Sequence, residues 1–179
     1  MLRQLLRPNW LIDRTLAELP LQDLLDQGIR ALVLDVDRTL LPRGTATILP
    51  ESALRWLQAA REQLPIHLFS NNPSRQRIGA VARQLDLPFT TSAGKPRRGA
   101  LRKVLNQFAL PHHQVALIGD RLFTDVIAGN RLGLFTVLVK PIDPQGQPCR
   151  RDGLQRLELR MAHWLGSGLG SGMGSGRGR

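Results

Sequence analysis

The sequence predicts a doubly wound α/β fold in three α/β/α layers, with helices on both faces of a parallel sheet. Short apolar runs recur with helical stretches between them, which is the pattern of repeated βα units. The residues that follow those runs are polar and repeatedly acidic, as expected at the carboxyl edge of such a sheet. At 179 residues and 42% hydrophobic content the chain can bury one good core and is too short for two ordinary domains. The expected organisation is an N-terminal segment with a short helix (1–28), one α/β domain (29–165) and a Gly/Ser-rich tail (166–179).

In chain order, residues 21–27 read as a short helix stopped by Gly28, which feeds a first strand in ALVLDV, Ala31 to Val36. Pro50 opens a helix over 51–63, with Leu54, Leu57 and Ala60 at helical spacing. IHLFS (66–70) is the second strand. Pro73 then opens a helix to about Leu85 that carries Ile78, Val81 and Ala82 on one face, with Asn72 as its expected N-cap. A weak strand at 89–91 precedes a helix over 99–108. VALIG (115–119), a helix over 122–132 stopped by Gly133, and LFTVLV (134–139) complete the sheet. Residues 154–165 read as a final amphipathic helix. From Gly166 onward every second residue is glycine, seven in fourteen, so little can be buried against the ordering entropy and disorder is expected.

A single cysteine, Cys149, rules out an internal disulfide framework and a multi-cysteine zinc cluster. No run approaches the roughly 20 apolar residues that span a bilayer, and MLRQLLRPNWL lacks the long apolar stretch of a signal peptide. The expectation is a cytoplasmic protein in peripheral contact with membrane. The 25 basic residues outnumber 14 acidic ones, giving a formal charge of +11, and all but three of the 25 are arginine. Such a surface suits an anionic partner, whether phospholipid, nucleic acid or phosphorylated substrate, although genomic arginine usage gives the same composition. Few aromatics and no tyrosine weigh against nucleic acid. Leu2, Leu5, Leu6, Trp10 and Leu11 beside Arg3 and Arg7 fit either an interfacial anchor or packing against the domain edge.

The residues just after the apolar runs form an ordered set: Asp35 and Asp37, Ser70 and Asn71, Lys95, then Asp120 and Asp125. Two aspartates one residue apart at a strand end point the same way, which is unfavourable without a cation or proton between them. Hard oxygen ligands from separate strands favour Mg2+ over zinc. Phosphoryl transfer needs an oxygen nucleophile, hydrogen-bond donors and positive charge, and Ser70, the Asn71 amide and Lys95 supply the last two.

DVDRT followed by Leu, FSNN, AGKP and GDRLFTD, in that order, resemble the four motifs of the haloacid dehalogenase (HAD) superfamily. The resemblance implies an aspartyl-phosphate mechanism with Asp35 as nucleophile and Asp37 as general acid and base. It implies Mg2+ held by Asp35, the Asp37 carbonyl, Asp120 and, directly or through water, Asp125. Asp37 argues for phosphoester hydrolysis, since members of the dehalogenase type lack it.

With 35 positions from Asp35 to Ser70 and 25 from Ser70 to Lys95, neither interval has room for a large cap domain. An uncapped site favours a bulky substrate that covers it. From about Pro8 to Lys140 the chain is similar to the YqeG-type, subfamily IIIA, HAD phosphatases. These resemble the mitochondrial and plastid phosphatases that make phosphatidylglycerol from phosphatidylglycerophosphate, which implies an anionic lipid substrate at a membrane surface. Arg38 stands where such sequences commonly have asparagine, either contacting a second acidic group of the substrate or facing solvent. The competing expectations are a phosphatase of soluble sugar or nucleotide monophosphates, one acting on nucleic-acid ends or phosphoprotein, and a non-catalytic RNA-binding protein with a relic site.

Overall fold

The computed structural model describes residues 2–42, 44, 46–149 and 152–165; the 166–179 tail lies outside them. In chain order the elements are α1 (Leu2–Leu5), β1 (Trp10–Leu11), α2 (Leu21–Asp26), β2 (Ala31–Leu34), α3 (Glu51–Arg61), β3 (Ile66–Phe69) and α4 (Arg75–Arg83). They continue with β4 (Phe89–Thr90), α5 (Gly99–Phe108), β5 (Val115–Gly119), α6 (Ile127–Asn130), β6 (Phe135–Leu138) and α7 (Gly153–Trp164). The strands form one six-stranded sheet in the order β1-β6-β5-β2-β3-β4, and every pair is parallel. The expected α/β class is therefore what the chain adopts.

The central strands read as continuous apolar runs because both of their faces are covered. Alternate residues go to opposite sides. Leu32, Leu34, Ala116 and Ile118 join the core under α2, α3 and α4, whereas Ala31, Val33, Val115 and Leu117 join the one under α5 and α6. A third cluster gathers Leu6, Leu122, Val126, Leu138 and Ala162. Among the described residues no helix is long and apolar enough to cross a membrane.

Two local features differ from the sequence expectation. The cap of α4 is Ser74, whose hydroxyl accepts from the Arg77 amide. Asn72 instead accepts from the Ser74 amide at 2.9 Å, turning the chain one step earlier. The 122–132 helix begins as a π-helical turn over Leu122–Val126 before α6, a form often found at functional sites.

The sequence also leaves β1 unannounced, because two residues carry no period. Trp10 and Leu11 pair with Val137 and Leu138 at the sheet edge, and Trp10 meets Phe135 edge-on at 5.0 Å. Leu6 and Pro8 are buried, and Asn130 donates to the carbonyls of Leu5 and Arg7. Of the two readings of this segment, these contacts are those of packing against the domain edge.

Candidate active site

The sheet reverses its winding at β2, with β3 and β4 to one side and β5 and β6 to the other, and ligands bind at such a switch point. Asp35 follows β2 directly and is anchored by its own amide, which donates to the Ile118 carbonyl at 2.9 Å. Asp120 follows β5. Both side chains are almost fully buried, with 6% and 1% exposure.

Lys95 arrives from the loop after β4 and ties the set together. Its Nζ lies 2.5 Å from Asp35 Oδ1, 2.6 Å from Asp125 Oδ1 and 3.0 Å from the Phe69 carbonyl. Asn71 holds that loop: its side chain donates to the Lys95 carbonyl and accepts from the Lys95 amide at 2.8 Å. The second Asp35 oxygen accepts from Thr39 Oγ1 at 3.2 Å.

Asp35, Asp120 and Asp125 each place a carboxylate oxygen within 4.8 Å of the others, and all three are buried. Burial pushes Asp120 up to about 8, with the Asp35 and Asp125 charges adding to it and Arg38 and Arg121 opposing. Asp35 is pushed up to about 6, mainly by burial, with Lys95 pulling the other way. Burial lowers Lys95, yet Asp125 and Asp35 outweigh that and hold it above its ordinary range. Asp120 Oδ2 is buried without a hydrogen-bond partner among the described residues. An orphaned carboxylate oxygen beside two more carboxylates fits a hard divalent cation.

Asp37 is set apart from this group. Its Oδ2 accepts from Ser70 Oγ at 3.0 Å, and its Oδ1 is paired with the Arg77 guanidinium. Ser70 Oγ also accepts from the Asn72 amide at 3.0 Å. Arg77, buried on α4, donates from Nε to the Ala46 carbonyl as well. Arg38 does not face solvent: Nη2 meets Asp152 Oδ1 at 2.7 Å and Nε lies 3.6 Å from Asp120 Oδ2. Its φ of 70° is left-handed, a conformation that costs asparagine less than arginine, so these ion pairs offset local strain. It lines a cavity of about 340 Å³ with Ile142, Asp143, Cys149, Asp152 and Leu154.

The acidic loop is supported from α7, a helix far from every motif. Gln155 Nε2 donates to the carbonyls of Asp120 and Val139 at 2.7 and 2.8 Å. Glu158 accepts from Arg121 Nε at 2.7 Å and from the Leu122 amide at 2.8 Å. Gly119 is required by close approach, since a Cβ there would run into the Asp125 side chain. Sequence reasoning passed over Arg77, Asp152, Gln155 and Glu158. For the last three the available signal was a run of polar residues at i, i+3 and i+6 from the cap of the last helix, where a buried face would be expected to be apolar.

Comparison with known proteins bears on the family and the fold. Residues 92–141 match the HAD-hydrolase-like family. The chain is 30% identical over 122 residues to the probable phosphatase YqeG of Bacillus subtilis, covering 68% of this chain and 70% of that protein. It is 29% identical over 151 residues to the chloroplastic phosphatidylglycerophosphate phosphatase 1 of Chlamydomonas reinhardtii, and 26% over 156 residues to its chloroplastic/mitochondrial counterpart in Arabidopsis thaliana. Each alignment covers 79% of this chain, but only 56% and 43% of those two relatives. Solved structures share the fold: an uncharacterized protein from Listeria monocytogenes serotype 4b (TM-score 0.53, 16% identity, 69% of this chain and 83% of that one). A hypothetical protein from Xanthomonas campestris also does (TM-score 0.50, 17% identity, 88% and 94%).

Proposed function

The chain belongs to the YqeG-type family of HAD phosphatases, and from that premise we propose that it is a magnesium-dependent phosphatidylglycerophosphate phosphatase acting through a phosphorylated Asp35. The observation that carries the chemistry is the buried Asp35, Asp120 and Asp125 cluster, with Lys95 between Asp35 and Asp125. The two relatives named for phosphatidylglycerophosphate support the substrate.

In this reading Asp35, oriented by Lys95 and Thr39, attacks phosphorus, and the ester P–O bond breaks as the new one forms. Asp37, held by Ser70 and Arg77, gives its proton to the leaving oxygen. It then takes a proton from water, whose oxygen attacks the phosphorylated Asp35 and releases phosphate. Lys95 and the site's amides offset the charge that gathers on the transferring group. Ser70 and Asn71 are the phosphate-side donors. Arg38, with Nη1 buried and unpartnered among the described residues, is assigned to a second anionic group of the substrate. Asp35, Asp120 and Asp125, with the Asp37 carbonyl, would hold Mg2+, which when bound supplies positive charge against the phosphoryl oxygens.

The raised carboxylates make ion uptake and protonation compete. A folded value of about 8 against an ordinary 3.8 for Asp120 means the metal-free fold holds its proton more tightly than the unfolded chain does. Metal-free stability therefore falls as pH rises through that window, and Mg2+ must displace the proton. The melting-temperature gain from Mg2+ is expected to be larger at pH 8 than at pH 6, with roughly one proton released per ion bound. Melts with and without Mg2+, repeated with Asp120→Asn, check this; an equal gain at both pH values would remove the linkage.

The function is tested by phosphate release from phosphatidylglycerophosphate in mixed micelles and from a panel of soluble monophosphates, with and without Mg2+. Preference for the lipid by at least about 100-fold in kcat/KM is expected, equivalent to about 2.7 kcal/mol of extra transition-state binding. Release from soluble esters alone would reassign the substrate. Salt-sensitive RNA binding without turnover would point to a relic site.

A further inference from the structure

The last helix has two unlike faces. Gln155, Glu158 and Ala162 face inward and are buried, the first two bonded to the acidic loop. On the opposite side Leu157, Met161 and Trp164, at i, i+4 and i+7, are 54%, 46% and 86% exposed. They are three of the five large hydrophobic residues exposed among the described residues, and they share one stripe. Large apolar side chains aligned on a helix face mark a surface that meets another phase or partner.

The charge around the stripe selects the partner. Arg156 and Arg160 are exposed on its flank, the sequence from Leu159 to Arg179 contains no acidic residue, and the chain carries +11 overall. A second copy of this helix would bring like charges together, whereas an anionic bilayer takes the apolar stripe into its interface and the guanidiniums onto its headgroups. Tryptophan is a residue of that interface.

We propose that the outward face of α7, Leu157, Met161 and Trp164 flanked by Arg160, is a docking surface for an anionic lipid bilayer. The inference rests on the lipid-substrate reading for its choice of partner. The helix that holds Asp120 and Arg121 from within then also sets the enzyme on its substrate's surface. Asp152 and Leu154, at its start, line the cavity beside Arg38, so docking places the membrane about one helix diameter, roughly 10 Å, from the catalytic loop.

The test is flotation of the full chain with vesicles of phosphatidylcholine alone or mixed equally with phosphatidylglycerol. The wild type is compared with a Leu157→Ser, Met161→Ser, Trp164→Ser triple variant and with Arg160→Glu. Binding to the mixed vesicles, weakened about ten-fold or more in the triple variant and also reduced in Arg160→Glu, is expected. Melting temperature and p-nitrophenyl phosphate turnover should stay at wild-type values. Undiminished binding by the triple variant, or equal wild-type binding to phosphatidylcholine alone, would overturn the proposal. So would a wild-type dimer that the triple variant converts to monomer. Vesicle binding without phosphatidylglycerophosphate turnover would refute the substrate and keep the docking face. Turnover of that lipid in micelles with no vesicle binding would do the reverse.

Discussion

Asp35→Asn is expected to lower phosphate release by about 10⁴-fold or more while leaving the chain folded. The amide is nearly isosteric, can keep its oxygen on Lys95 while its NH2 donates to the Thr39 hydroxyl, and removes a buried charge whose pKa burial has already pushed to about 6. The metal-free variant should therefore melt no lower than the wild type at pH 8, where the lost carboxylate is ionised against desolvation. Acid quenching of the wild type during turnover of a phosphate-labelled substrate should trap label on Asp35, and none should be trapped on the variant. Activity within ten-fold of wild type would exclude Asp35 as nucleophile.

Lys95→Met should damage both stability and rate. Lys95 is 2% exposed in its side chain and stands between Asp35 and Asp125, which are themselves almost fully buried. Without the ammonium, two desolvated carboxylates face each other and Asp120, at a cost of about 3–5 kcal/mol. That corresponds to a melting-temperature drop of roughly 10 °C for a domain of this size. The drop should be smaller at pH 6 than at pH 8, because Asp35 then takes up a proton. Turnover should fall about a thousand-fold or more, through lost charge stabilisation and a misplaced nucleophile. Lys95→Arg is expected to fail as well, since a planar fork does not fit where one compact ammonium reaches two carboxylates and a carbonyl. A Lys95→Met variant as stable as wild type at pH 8 would show that the three carboxylates are neutralised by other means.

Much of the fold was legible because strand and helix periods are local. The runs 31–36, 66–70, 115–119 and 134–139 each contain an observed strand, and 99–108 is the observed α5. The acidic and basic residues placed at the strand ends do converge there, because the carboxyl edge of a parallel sheet is where its loops gather. The roles assigned to them are proposals that the two variants above address. What escaped was non-local. Arg77 is one of many arginines in sequence, and only the packing of α4 beside the loop after β2 brings it to Asp37. The two residues of β1 become a strand only because β6 offers an unpaired edge.

The sequence by itself determined the class of fold, the order of its central elements and the set of oxygen and ammonium groups that gather at the carboxyl edge of the sheet. Periodicity and strand-end position are enough for that. The tertiary structure decided how those groups pair and which side of each element is covered. The last helix shows the reason. Its sequence is amphipathic, yet Gln155 and Glu158 are buried while Leu157, Met161 and Trp164 are exposed. The buried loop after β5 presents the Asp120 carbonyl, the Leu122 amide and the Arg121 guanidinium, and only polar side chains satisfy them. Which face of a helix goes inward depends on what it packs against, and that surface is built from residues distant in the chain.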